Sequence, residues 1–520
     1  MMPADGLVPA PEALSRRVLL RGAAASAAVL AAAPSLFRTP PAAAAGGVFV
    51  ATDPDLHLLR RATFGPTPAL RAQVERLGRH AWIEQQLNPG SIDDSSFQRM
   101  LDRRFPGLGW TIPQARARLE EFSWDLMFDL GVAALARACW SKRQLFEVMV
   151  DFWSNHLNVT NPFDGGWDCR HDYDRRVIRK HALGRFEDML IASAKHPAML
   201  LYLNNAESSK YSPNENYGRE LLELHTVGVS GGYDEIDMRQ SALIMTGFTV
   251  DWETTTFQYE PSWHHTGRVS VMNWKSANRT GSGGYQVALD YLRYLAHHRS
   301  TARRIAYRLC ERFVSDHPPA GLVDQLADEY LRSGTAIKPV LRKLFRSAAF
   351  ANSVGEKVRR PMEDMAATVR ILGIGPDRTG TDGMTGLYWM IGDLGHSPLG
   401  WVPPNGYPDT ADAWRSAGGT LGRWNMHMSL AAHWWPDQLT LPNLRKNLLQ
   451  KKLPRTHGAL VDTLSRRLVF RELPGPHRAA ILDFLGVRGS DPLPADSGVI
   501  QWELASLVSL ILDTPSFTAR

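Results

Sequence analysis

Apolar residues recur at three- and four-residue spacing along almost the whole chain, and no other feature constrains its fold so strongly. "TPALRAQVERLGRHAWIEQQLN" opens on Thr-Pro, a helix-start signal, and continues with apolar residues on one face. "SKRQLFEVMVDFWSNHL", "DEIDMRQSALIMTGF", "STARRIAYRLCERFV" and "SGVIQWELASLVSLILDTPSF" read the same way. Alternation suited to strands is confined to "GFTVDWETTTFQYEP" and "GRVSVMNWK", enough for a short hairpin or lobe. With no β–α–β rhythm and no Gly-x-Gly-x-x-Gly fingerprint, a doubly wound dinucleotide fold is disfavoured. The expectation is a mainly α protein: one large helical unit over residues 46–520, with long functional loops and a minor β-hairpin. Halves at 46–255 and 286–520 would be joined by a hairpin lobe at 256–285.

Residues 1–45 stand apart. "SRRVLLRGAAASAAVLAAA" places Arg16 and Arg17 before a short Ala-rich run, and "PPAAAAGG" offers an Ala-x-Ala cleavage site. This is the pattern of a twin-arginine signal peptide, which predicts export of the folded protein to the cell envelope or beyond it. The run is too short to span a bilayer, and no later stretch reaches spanning length. The chain of 520 residues has a formal charge of +6. Arg16, Arg17, Arg21 and Arg38 against Asp5 and Glu12 put +2 of this in the leader, leaving 6 − 2 = +4 for the rest. That charge is spread without a basic run, which argues against nucleic acid as a partner. Cys139, Cys169 and Cys310 show no Cys-x-x-Cys spacing, which disfavours thiolate zinc and iron–sulfur sites; export would allow one disulfide and a spare thiol.

Three segments carry chemistry worth weighing. In "DFWSNHLNV", a helix would align Asp151, Asn155 and Asn158 on one face, with His156 beside them and Trp153 opposite. Such a group could orient a water or bind a metal; it is equally an Asn-capped helix end with a hydrogen-bonded core histidine. "CRHDYDRR" reads as an ion-pair cluster with Asp172 and Arg176 at i, i+4. "PSWHHTGRV" puts His264 and His265 on a loop, where they either ligate a metal or anion or stand exposed. His298, just before a helix, reads as structural. Long loops at 158–169, 252–285 and 392–420 are rich in Gly, Pro, Trp and polar residues. In the last of them Trp401, Tyr407 and Trp414 could line or lid a cleft.

The densest stretch is "NENYGRELLELHTVGVSGGY", residues 214–233. With Glu215 at 0° and about 100° per residue, Arg219 falls near 40°, Glu223 near 80°, Asn216 near 100° and Glu220 near 140°. Tyr217, Leu221 and Leu224 lie opposite, so the helix is amphipathic. The polar arc is either a solvated Glu215–Arg219–Glu223 ion-pair ladder or the wall of a cleft. Its lack of Lys, and its use of Asn, Tyr, Arg and His, favour the cleft. Glu220 and Glu223 would then be a carboxylate pair in which burial beside a like charge turns one into an acid and leaves the other a base.

Taken together, "LLRRATFGPTP", "FWSNHLNV", the long run from Asn214 to Val250, "HHRSTARRIAYRLCERFVSDHPP", "KVRRPMED" and "LGHSPLGWVPPNGYP" resemble the bacterial domain-of-unknown-function family numbered 1800. The resemblance runs from about Leu58 to the C-terminus. It implies an exported, mostly helical bacterial protein, often encoded beside a second exported protein of unknown role. It does not imply a reaction. The family's usual His-Asp followed by Gly reads here as His264-His265, then Gly267 and Arg268, with Asn273 where a Gly is usual.

The functional expectation is an exported acid–base hydrolase or lyase acting on a polysaccharide or cell-envelope glycan. Glu220 and Glu223 would be catalytic, with His225, Asp151 and His156 in support. Asn216, Arg219, Asn155, Trp153, His264 and Trp401 would hold the substrate. The alternatives are a metal-dependent exported enzyme, with Asp151, His156, His225, Glu220 and His264 as ligands of a divalent ion, and a non-catalytic envelope binding or assembly protein. The acid–base reading itself requires no cofactor.

Overall fold

Capping residues fix where many of the helices begin. Asp53, Thr67, Thr111, Asn214, Asp234, Ser347 and Ser416 each precede a helix and accept a hydrogen bond from a backbone N–H of its first turn. Pro54 and Pro68 follow two of these caps, where a missing N–H costs nothing and φ is already helical. His298 caps in the same way through Nδ1, which accepts from Ser300 N–H at 3.2 Å. The computed structural model describes residues 49–449 and 453–520. The expected leader, 1–45, lies outside the described residues.

The protein is mainly α. The helices used below are α1 (Gln144–His156), α2 (Glu215–Glu220), α3 (Glu235–Met245), α4 (Arg299–Phe313), α5 (Pro361–Leu372), α6 (Ala417–Ala431) and α7 (Leu504–Leu512). α2 runs into a π-helical turn over Leu221–His225. Residues Val48–Arg520 form one compact unit. One contiguous apolar core extends from Leu58 to Phe517, so the expected halves 46–255 and 286–520 both contribute to it. α2 lies directly on α3. Gly218 is the point of closest approach, since a Cβ there would meet Ala242 N at 2.7 Å and Met238 O at 2.8 Å.

Strand structure exceeds the single hairpin expected. β1 (Phe248–Asp251) pairs antiparallel with β2 (Thr256–Tyr259), Phe248 opposite Tyr259. β3 (Val269–Val271) pairs with β4 (Trp274–Ser276), Val269 opposite Ser276. The first hairpin therefore begins before residue 256, and the lobe holds two. A third pair, β5 (Gly375–Asp377) with β6 (Leu439–Thr440), joins distant segments. The disulfide option is overturned: Cys139, Cys169 and Cys310 are all unpaired and buried. Among the described residues no helix is long and apolar enough to cross a membrane.

Candidate functional site

α1 ends at His156, so the expected face keeps Asp151 and Asn155 on the helix and leaves Asn158 two residues beyond it; Asn155 and Asn158 both meet the 392–420 loop. Asn155 Nδ2 donates to Asp151 O at 2.8 Å, and Asn155 Oδ1 accepts from Tyr407 N–H at 2.9 Å. Asn158 Nδ2 donates to the carbonyls of Trp401 and Pro403 at 2.9 and 2.8 Å. Gly406 makes this docking sterically feasible: its φ is +70°, and a Cβ there would stand 2.0 Å from Asn155 O. The loop is thus stitched down. Asn155, expected to hold substrate, holds Tyr407. Trp401 is half-buried against Tyr407, centroids 5.0 Å apart, and its indole N–H donates to Asn405.

Asp151 belongs to a buried ionic network. It pairs with Arg360 at 2.5 Å and Arg312 at 3.8 Å. Glu363, on α5, meets Arg312, Arg520 at 2.9 Å and Arg360 at 3.5 Å. Lys357 pairs with Asp316 at 2.5 Å and lies 3.8 Å from Asp409, which also faces Arg312 and Arg360. Four cations (Arg312, Lys357, Arg360, Arg520) thus balance four carboxylates (Asp151, Asp316, Glu363, Asp409). Burial opposes ionisation of Glu363, but the surrounding guanidiniums outweigh it and hold the carboxyl well below its ordinary range. An enclosed cavity of about 30 Å³, room for a water or two, lies beside Asp151 and is also bordered by Arg137, Glu147, Asp174 and Arg179. The expected catalytic role for Asp151 meets a group already engaged in structure.

The histidines are likewise engaged. His156 is buried among Phe152, Trp153 and Phe186, and its Nε2 donates to His225 O at 3.1 Å. Burial drives its pKa far below the ordinary value, with the Arg304 and Arg308 charges adding to the shift. His225 is pushed down to about 3 by burial and by Arg304. His264 is buried, with Nδ1 against Thr246 O and Nε2 against Asn278 Oδ1, both at 2.9 Å. Trp153 is 0 % exposed and its indole N–H donates to Ala182 O, so it has no face for a sugar ring. Asp151, His156, His225, Glu220 and His264 are not gathered around one point. Among the described residues no group of three or more His, Cys, Asp or Glu side chains is placed to hold a metal ion.

The polar arc of α2 divides in two. Its outer part is an ion-pair surface shared with α3. Glu215 lies 3.7 Å from Arg239, and Arg219 lies 3.3 Å from Glu235 and 3.7 Å from Glu223. Asn216 is exposed. The inner part is Glu220 and Glu223, both half-buried, where α2 widens into the π turn. Burial raises the Glu220 pKa, and the Glu223 charge raises it further. Burial raises the Tyr202 phenol and the nearby Glu220 carboxylate adds to the shift, and Tyr233 hydrogen-bonds Glu223. Tyr202 also donates to Val402 O at 2.5 Å, bringing the 392–420 loop to the Glu220 side. Immediately after the π turn, Val227–Ser230 with Arg303, Arg304 and Tyr307 border an open cavity of about 560 Å³. Neither glutamate lines it.

Sequence reasoning missed a second titratable cluster. His427, on α6, is fully buried, with Nδ1 2.6 Å from Asp513 and Nε2 3.5 Å from Asp364 on α5. Burial opposes its protonation, but the two carboxylates win and raise it to about 9. The available signal was "TADAWRSAGGTLGRWNMH", a run of small residues between two tryptophans and ahead of a histidine.

A family model for proteins of unknown function, DUF1800, matches residues 57–519. Comparison with curated proteins and with solved structures returned no match. A match over so much of the chain, including α1, α2 and the 392–420 loop, decides the kinship: the protein belongs to the DUF1800 family.

Proposed function

We propose that this protein is an exported acid–base enzyme, a hydrolase or lyase of a polysaccharide or cell-envelope glycan, with Glu220 as acid and Glu223 as base. One observation carries the reading. Two half-buried carboxylates stand one turn apart, and burial together with the neighbouring charge raises Glu220. Arg219 and the Tyr233 hydroxyl both face Glu223. That is the division a glycosidic cleavage needs, one group to protonate the leaving oxygen and one to take a proton from water or from the sugar. Asn216, exposed on the same helix, and Arg219 would position the substrate beside the pair. The Arg16–Arg17 leader supports export by the twin-arginine route.

The test is glycan breakdown by purified protein and its Glu220→Gln and Glu223→Gln variants, read as new reducing ends or unsaturated ends. Each variant should lose activity by about 10²-fold or more with an unchanged melting temperature. Full activity in both would sink the assignment. A second reading, a non-catalytic envelope binding or assembly protein, is favoured by the Glu215–Arg239 and Arg219–Glu235 pairs, which tie much of the arc to α3. It is the one that survives if no glycan is cleaved while Glu220→Gln leaves the cellular phenotype intact.

A further inference from the structure

The N-terminal half of α6 borders a cavity of about 440 Å³, outside the Glu220 region. Ser416, Ala417 and Thr420 give it a low wall, and Trp414 and Trp424 stand on either side of that wall in sequence. Trp414 stacks on His396 by one face, centroids 4.7 Å apart at 24°, while its ring also lines the cavity. Trp424 lines the cavity and is 44 % exposed. Arg423, His427 and Asp513 form the polar side. Arg423 Nη1 donates to Arg359 O at 2.8 Å and lies 3.4 Å from Asp364. Asp513 Oδ1 accepts from His427 Nδ1, which fixes the carboxylate on the cavity's lining.

We propose that this cavity is a carbohydrate-binding site that takes a hexose ring of a glycan, with the ring packed on Trp424 and its hydroxyls held by Asp513 and Arg423. The chemistry is complementary. A pyranose has a face of C–H groups that suits an indole, and vicinal hydroxyls that suit the two oxygens of a carboxylate or the fork of a guanidinium. Small residues on the wall leave room for the ring, and the hydroxyls of Ser416, Thr420 and Thr518 add donors and acceptors. A flat apolar ligand would leave this polar side unmatched. The buried Asp364–His427–Asp513 chain gives Asp513 one fixed orientation, the preorganisation that limits the entropic cost of binding. In the full protein this site would hold the polymer while Glu220 and Glu223 act elsewhere. The assignment shares the glycan with the proposed function but not the residues, and its test reads binding alone.

The test is titration of the full-length protein with cellohexaose, chitohexaose, maltohexaose and hexagalacturonate, followed by calorimetry and tryptophan fluorescence. At least one should bind with Kd below about 1 mM, and Trp424→Ala and Asp513→Asn should each weaken it by about tenfold or more. Thr420→Trp, which fills the mouth from an exposed position, should abolish it. Trp502→Ala, a change at an exposed tryptophan that does not line the cavity, should leave it within about twofold. Should Asp513→Asn fail to fold, the two surface variants decide. The proposal is overturned if no probe binds below about 10 mM, or if Trp424→Ala and Thr420→Trp both bind like the parent. A parent that binds but does not cleave would reject the acid–base reading and leave this one standing.

Discussion

Replacing Glu363 by Gln should destabilise the protein more than any other change that preserves side-chain size. Glu363 is 2 % exposed and is the carboxylate on which Arg312, Arg360 and Arg520 converge. Its Oε2 also accepts the Arg360 N–H at 2.9 Å, a bond the amide oxygen of Gln can keep. What is lost is charge. Four cations would face three carboxylates in a buried region that screens the excess poorly, and breaking a buried ion pair in this way costs about 3–5 kcal/mol. Unfolding entropy near 60 °C is about 2.1 cal/mol/K per residue, so a unit of roughly 470 residues has about 1 kcal/mol/K. The melting temperature should therefore fall by about 3–5 °C, read by differential scanning calorimetry at neutral pH. Glu235→Gln, at a solvent-exposed pair, should shift it by less than about 0.5 °C. Removing a cation together with the carboxylate, as in Glu363→Gln with Arg520→Met, should cost less than the sum of the two single changes, because it restores neutrality. A Glu363→Gln protein that melts within about 1 °C of the parent would refute the reasoning, since the network would then be electrostatically idle.

Three other outcomes follow from the same structure. His427 titrates at about 9 in the fold against an ordinary 6.5, so its contribution is complete below pH 6.5 and is lost as pH rises through about 9, at most about 3 kcal/mol. Melting temperature should fall over that window in the parent and stay flatter in His427→Gln. Asp172, drawn down to about 2 by His196 and Arg175 against the opposing effect of burial, adds stability present above the ordinary pKa of 3.8 and lost as pH falls through about 2. Asp172→Asn should melt lower than the parent at pH 6 and approach it at pH 2. Gly406→Ala would place a Cβ against Asn155 O at a positive φ, so the 392–420 loop should come free, with limited proteolysis cutting within it at least about tenfold faster.

Local signals were legible in the sequence, and partners were not. Thr67-Pro68 marks a helix start because capping needs only neighbouring residues. The Asp172–Arg176 pair was likewise readable, at 3.1 Å, because both partners lie on one helical stretch. Asp151 looked catalytic because nothing nearby in the sequence satisfied it. Its partners, Arg312 and Arg360, come from much later in the chain and settle against it only through tertiary packing. The helical wheel of residues 215–225 was sound for α2 but assumed a uniform turn, and the π turn at Leu221–His225 breaks that assumption. It also could not foresee that α3 would claim Glu215 and Arg219. β5 and β6 are too short, and too far apart, to leave an alternating pattern.

Arg520 has a consequence for how the molecule comes into being. Its backbone N–H donates to Lys357 O at 2.8 Å, and its guanidinium reaches Glu363. Until that arginine is seated, the centre of the protein holds three cations against four carboxylates, and a sealed interior is unfavourable for the surplus negative charge. A chain in which all seven helices named above have formed but Arg520 has not docked still lacks the charge that closes them. Closure of the core is thereby made conditional on a salt link from outside the seven helices, by electrostatics rather than by topology alone.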